Sequence, residues 1–159
     1  MSERQRILDL LDRAYRAKTW CGPALLETLD GVGAALAARH VKRGVHSIWE
    51  LVEHVASWND IVAERLSGKR PVVTPERNFP PITRTTPAAW KATLRRLART
   101  QGKFRREVAR FPVARLGRRR PKLDHTWNVL IHGQIQHQLY HAGQIAMLRR
   151  AFGKPVPSS

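Results

Sequence analysis

The sequence predicts an all-α protein: a four-helix bundle with an additional short helix after the first helix. Four long stretches repeat apolar residues at spacings of three and four, which places those residues on one face of a helix. No stretch combines the alternation and the flanking turn signals of a convincing β-strand. The 159 residues show no internal repeat and no linker between domains, so we expect a single domain over residues 1–159.

The first helix is predicted over residues 2–18, with Ser2 as its N-cap. Its apolar stripe consists of Ile7, Leu10, Leu11, Ala14 and Ala17. The segment 22–39 is also rich in leucine and valine at helical spacing, but Gly31 and Gly33 interrupt it. This segment is therefore the additional short helix.

The second long helix is predicted over residues 47–67. Ser47 is followed three residues later by Glu50, the pattern of a capping box, and Gly68 is the expected end of the helix. The proline-rich segment 68–87 that follows predicts an extended loop.

The two remaining long helices are predicted over residues 86–110 and 124–152. Thr86 and Asp124 are the expected N-caps, because a threonine or aspartate side chain can accept a hydrogen bond from the first turn. Gly153 is the expected end of the last helix.

Composition limits the class of protein. Lys and Arg number 29 against 12 Asp and Glu, a net charge of +17, which indicates either binding to nucleic acid or an anionic surface, or arginine-rich solvated helices. No apolar run approaches the ~20 residues that span a bilayer, and the N-terminal segment lacks the apolar core of a signal peptide. Cys21 is the single cysteine, which we interpret as a buried small residue in a cytoplasmic protein.

Histidines on the fourth long helix are the main candidates for a functional site. His137 and His141 are four residues apart and therefore project from one face. They interrupt an otherwise apolar stripe together with Gln134. Burying unpaired imidazoles costs free energy, and a metal ion would satisfy them if a third ligand lay opposite. His54, at the edge of the apolar face of the second long helix, is the candidate.

The same spacing fits a simpler interpretation. Pairs of histidines four residues apart occur by chance on helices, and a core histidine can bond to a carbonyl instead. The spacing alone leaves both interpretations open. The remaining histidines are expected not to be ligands: His40, His46, His125 and His132.

Four segments together resemble the DinB/YfiT-like superfamily. They are HSIWELVEHVASWND, HQLYHAGQIAMLRRAFG, RNFPPITRTTPAAW and WCGPALLETLDGV. The resemblance implies a four-helix bundle with one divalent metal ion held by His54, His137 and His141. Gln144 matches the family's pattern after the last ligand, whereas Ala142 stands where many members carry a basic residue.

The resemblance also implies chemistry. Three protein ligands leave a coordination position open, as in reactive metal sites. The superfamily includes transferases and isomerases that use low-molecular-weight thiols, and activation of a water molecule would make a hydrolase instead. Zn or Ni is expected first, with Fe, Mn or Co as alternatives. A stress or scaffold protein that keeps the metal without catalysis is the alternative.

No general base is evident near these ligands. Glu53 and Asp60 are expected to be solvated charges that point away from His54. Tyr140 and Gln134 are expected to line the metal pocket or to donate a hydrogen bond there, and Gln144 to brace the packing of the helix.

The basic residues of the third long helix and the apolar content of the chain each suggest a kind of partner. A basic stripe on the third long helix suggests non-specific binding of nucleic acid as a further alternative; it consists of Arg96, Arg99, Lys103, Arg106 and Arg110. No reading element accompanies it, so we expect no sequence-specific binding. Five tryptophans and the extra segment 22–39 leave apolar surface to cover, which predicts a homodimer.

Overall fold

The computed structural model describes residues 1–120 and 124–156 and is all-helical, which confirms the predicted fold class. In these residues the helices are α1 (Glu3–Tyr15), α2 (Leu25–Leu29), α3 (Ala34–Ala37), α4 (Ile48–Leu66), α5 (Pro75–Asn78), α6 (Pro87–Arg110) and α7 (Trp127–Ala151). A short 3₁₀ turn lies at Val113–Arg115. No β-strand is present in this part of the chain, where Arg119 and Thr126 form an isolated bridge.

Hydrogen-bonded caps define where the long helices start. Ser2 and Ser47 each cap their helix in the predicted way, with a full capping box at both sites. The Thr86 side chain accepts from the Ala89 amide at 3.2 Å. The predicted cap of α7 was wrong: Thr126, not Asp124, caps it, because the Thr126 hydroxyl accepts from the first turn.

The end of the first helix and two segments between the long helices differ from the prediction. Helix α1 ends at Tyr15 rather than at residue 18, where Lys18 has a φ of 65° that no α-helix accommodates. The segment 22–39 forms two short helices, α2 and α3, because Gly31 takes a φ of 68° between them. The loop 68–87 is not fully extended. It contains α5, which Thr74 caps through a 3.2 Å bond from the Arg77 amide.

The four long helices pack around a core in two apolar layers. Helix α4 lies against α6 and α7, and α1 covers α6 and α7. The first layer includes Ile48, Trp49 and Trp90 and is closed by α2 and α3. The second layer includes Phe104 and Ile131 and is closed by α1.

A buried polar layer separates the two apolar layers. Asn59 of α4 accepts from the side-chain amides of Gln134 and Gln138 of α7 at 2.8 and 2.9 Å. Gln101 of α6 accepts from Asn59 at 3.0 Å and from Gln138 at 2.8 Å. Because each of these bonds satisfies a buried amide atom that would otherwise be unpaired, together they favour one register of α7 against α4. That register determines which α7 side chains meet His54.

Candidate metal centre

Three histidines converge where α7 crosses α4. Helix α4 supplies His54, and α7 supplies His137 and His141. The Nε2 atom of His137 lies 3.0 Å from Nε2 of His54 and 2.9 Å from Nε2 of His141. One nitrogen of each ring lies within 4.8 Å of the other two, and the group could hold a metal ion. The structure thus brings together the three histidines that the sequence singles out, here called the histidine triad.

Hydrogen bonds on the outer side of two rings fix their orientation. Nδ1 of His54 lies 2.7 Å from the main-chain oxygen of Asn78, which can only accept, so Nδ1 carries the hydrogen. Nδ1 of His141 lies 2.6 Å from Oε1 of Gln144 and donates to it. In a neutral imidazole the other nitrogen then bears a lone pair. Both Nε2 lone pairs therefore point inward, as metal ligands require.

The inner contacts cannot all be satisfied by hydrogen bonds. His54 and His141 present lone pairs to Nε2 of His137, and one hydrogen there cannot bond well to both. Nδ1 of His137 is buried without a hydrogen-bond partner among the described residues. Two nitrogens about 2.1 Å from one ion lie about 3.4 Å apart at the tetrahedral angle that zinc prefers, and about 3.0 Å apart at a right angle. The separations of 3.0 and 2.9 Å correspond to the right angle. The observed separations and the chemistry of the donors therefore fit a cation.

The electrostatics keep the triad neutral. Burial, together with the neighbouring rings of His141 and His54, lowers the pKa of His137 to about 3. Burial also lowers the pKa of His141 to about 4, although its bond to Gln144 opposes the shift. The pKa of His54 is lowered for the same main reason. A neutral imidazole is the form that binds a metal ion, so the site is in its binding form at neutral pH.

The segment around α5 builds the wall behind His54. The ring of Phe79 stacks on His54 at a centroid distance of 4.0 Å, and His46 stacks on the opposite face of Phe79, also at 4.0 Å. The Trp58 indole donates to Oδ1 of Asn78 at 2.8 Å. The interpretation of this segment as an extended loop missed these roles. The Thr-Pro pair at 74–75, which repeats the start signal of α6, could have indicated them.

Two open clefts flank the triad. One, of about 500 Å³, is lined by His54 and His137 together with Trp58, Arg65 and His125. The other, of about 780 Å³, is more apolar and lies over Gln144, with walls that include Val45, His46, Tyr140 and Met147. Volumes of this size suit small molecules. Tyr140 lines this second cleft, which contains none of the three histidines, and most of its side chain is exposed. Gln134, the other residue expected to line the metal pocket, lines the first cleft with His54 and His137.

Several other expectations about the site were wrong. Glu53 is not a solvated charge. It is buried, accepts from Thr93 at 2.6 Å, and forms an ion pair with Arg96 at 2.6 Å. Gln144 does not merely brace the helix, because it bonds to His141. Cys21 is exposed rather than buried.

Carboxylates on α4 form ion pairs with two residues of the basic stripe on α6. Glu53 neutralises one of its members, Arg96, and Asp60 forms an ion pair with a second, Lys103. Two predicted members of the stripe therefore belong to the α4–α6 interface and are not free for nucleic acid.

The histidines expected not to be ligands lie outside the triad. His40 contacts Glu50 at 3.0 Å, and His46 stacks on Phe79. His125 accepts from Arg120 at 2.8 Å. Within the described residues, the triad is the one group of three or more His, Cys, Asp or Glu side chains close enough together to hold a metal ion.

Fold and site together define an all-helical protein that gathers three neutral histidines beside an open cleft. The family model of the DinB superfamily matches residues 19–145. The chain belongs to the DinB superfamily, as the motifs around His54 and His137 indicate. Neither the curated proteins nor the solved structures provide a match. Among the described helices, none has both the length and the apolar character that a bilayer-spanning segment needs.

Proposed function

We propose that the protein binds one divalent metal ion through Nε2 of His54, His137 and His141. The observation that carries the proposal is the convergence of three ring nitrogens, two of them oriented by outer hydrogen bonds to Asn78 and Gln144. Imidazole ligands favour Zn²⁺ or Ni²⁺, with Fe, Mn and Co as alternatives.

We propose further that the site is catalytic, as a thiol-dependent transferase or as a hydrolase. Three protein ligands leave a position free, and the bound ion would supply Lewis acidity toward a thiol or a water molecule there. The chain's own residues orient the ligands and shape the access. Trp58 and Val129 give the cleft beside His137 apolar walls, which reduce the water around a bound substrate.

We also propose a cytoplasmic homodimer. A stripe on the outer face of α7, apolar apart from the exposed Gln136, supports the dimer: Val129, Tyr140 and Met147 are 53%, 64% and 65% exposed and lie on one side of the helix. Such a stripe is a candidate for contact with a second copy.

The test of the metal site is metal content. Protein purified without an affinity tag is expected to contain or take up about one ion per chain, measured by elemental mass spectrometry. His137→Ala and His141→Ala should each lose tight binding, because two imidazoles rarely hold a divalent ion in an open site.

His132→Ala is the matched control, since this residue lies on α7 but outside the triad. It should keep the wild-type metal content. All three variants should keep their helical circular dichroism, because the apolar layers do not depend on the ion. Metal loss in His132→Ala with retention in His137→Ala would show that the site is misassigned.

A further inference from the structure

Arg65 is a half-buried cation without an acidic partner in the cleft beside the triad. Its side chain lines the same cleft as His54 and His137. Its guanidinium carbon lies 5.5 Å from the ring centroid of Trp58, a cation–π contact that holds it over the indole. Among the described residues, no carboxylate forms an ion pair with Arg65, and burial and the charge of Arg77 both lower its pKa.

The neighbouring Arg77 differs from Arg65 in this respect, whereas Arg120 also has no carboxylate partner among the described residues. Arg77 is neutralised by Glu64 at 2.8 Å, with Asp60 at 3.7 Å. Arg120 donates to His125, and the charge of Arg65 contributes to lowering its pKa. A guanidinium remains charged under these conditions. This end of the cleft therefore carries positive charge, because no carboxylate in the described structure lies within ion-pair distance of Arg65.

Apolar side chains make up much of the remaining lining of the cleft: Trp58, Val62, Val129 and Leu130. Asn78, His125 and Gln134 are its other polar members. A ligand that complements this surface has an apolar body and one anionic end. Its volume must fit a cleft of about 500 Å³, which suits a small molecule rather than a polymer.

We propose that Arg65 anchors the carboxylate or phosphate of a small organic anion whose apolar part lies on Trp58 and whose other end faces the triad. The orientation of the ligand's other end toward the triad rests on the proposed metal site, whereas the contact between the anion and Arg65 does not. A planar guanidinium suits the two oxygens of such a group, and its contact with Trp58 holds it in position.

The experiment compares a charged probe with a neutral one of the same shape. Binding of 4-phenylbutyrate and 4-phenylbutanamide is measured by isothermal titration calorimetry with the full chain, both loaded with Zn²⁺ and metal-free. The metal-free series is decisive for Arg65, because a carboxylate could also bind the ion. Wild type should prefer the carboxylate by roughly ten-fold, the usual effect of one charge-assisted hydrogen-bonded contact.

Arg65→Gln should abolish that preference, and Arg65→Lys should keep part of it. Arg99→Gln removes the same charge from an exposed position on α6 and should leave the preference intact. Equal affinity of wild type for the two probes, or an equal loss in Arg65→Gln and Arg99→Gln, would overturn the proposal. A chain that takes up no metal but shows the Arg65-dependent preference would overturn the proposed metal function instead.

Discussion

Replacing Gln144 by leucine should weaken metal binding without removing any ligand. Oε1 of Gln144 accepts the Nδ1 hydrogen of His141 at 2.6 Å and so holds the ring with its Nε2 lone pair inward. Leucine preserves the volume and the helix propensity. The variant leaves a half-buried N–H without a partner, which costs about 1–3 kcal/mol. Loss of such an outer partner lowers metal affinity about 10- to 100-fold.

The assay is competition for Zn²⁺ between the protein and a fluorescent chelator at pH 7.5. Gln136→Leu is the matched control, because Gln136 is an exposed glutamine on the same helix. Gln144→Glu keeps the acceptor and should bind at least as tightly as wild type. Equal Zn²⁺ affinities of Gln144→Leu and Gln136→Leu would contradict the proposed role of Gln144 in orienting His141.

Three further predictions concern stability and assembly. Arg96→Met should lower the free energy of unfolding in urea by about 2–3 kcal/mol, because it leaves the Glu53 carboxylate without its partner. This is less than the roughly 3–5 kcal/mol lost when a fully buried pair is broken, since Glu53 keeps some exposure. Glu53→Gln should cost less, and equal urea midpoints for Arg96→Met and Glu53→Gln would contradict this prediction. Metal-free protein should lose stability as the pH falls from 6.5 to about 3, because the lowered pKa values of His137 and His141 mean that the unfolded chain binds more protons over this range. Unchanged urea midpoints at pH 7.5 and 5 would refute this prediction. Light scattering should show a dimer at micromolar concentration that Tyr140→Glu or Met147→Glu dissociates, whereas a wild-type monomer would exclude this assembly.

The helices and the α7 histidines were predictable because their signals are local. Ser47 and Glu50 lie within one turn and meet whatever the rest of the chain does. His137 and His141 share a face for the same reason. His54 could be proposed because a buried pair of imidazoles needs a partner, but its distance from His137 depends on how α4 and α7 pack.

The sequence does not predict the environment of residues whose partners lie on other helices or loops. The pattern on α4 classes Glu53 as a surface charge, yet Arg96 and Thr93 of α6 surround it. The sequence predicts that Asn78 lies in an extended loop, whereas its main-chain oxygen in fact fixes the ring of His54. In each case the missing information is a contact between residues far apart in the chain, which helix periodicity does not contain.

The short segment around α5 couples the ligand set to the cleft. The main-chain oxygen of Asn78 orients His54, while its side chain holds the indole of Trp58. Trp58 in turn carries Arg65 over the cleft. Phe79, the next residue in the chain, packs flat against the ring of His54. Because Asn78 bonds to both His54 and Trp58, a shift of this segment changes the ligand geometry and the shape of the cleft together. The segment that the sequence marks as a proline-rich loop is therefore part of the site.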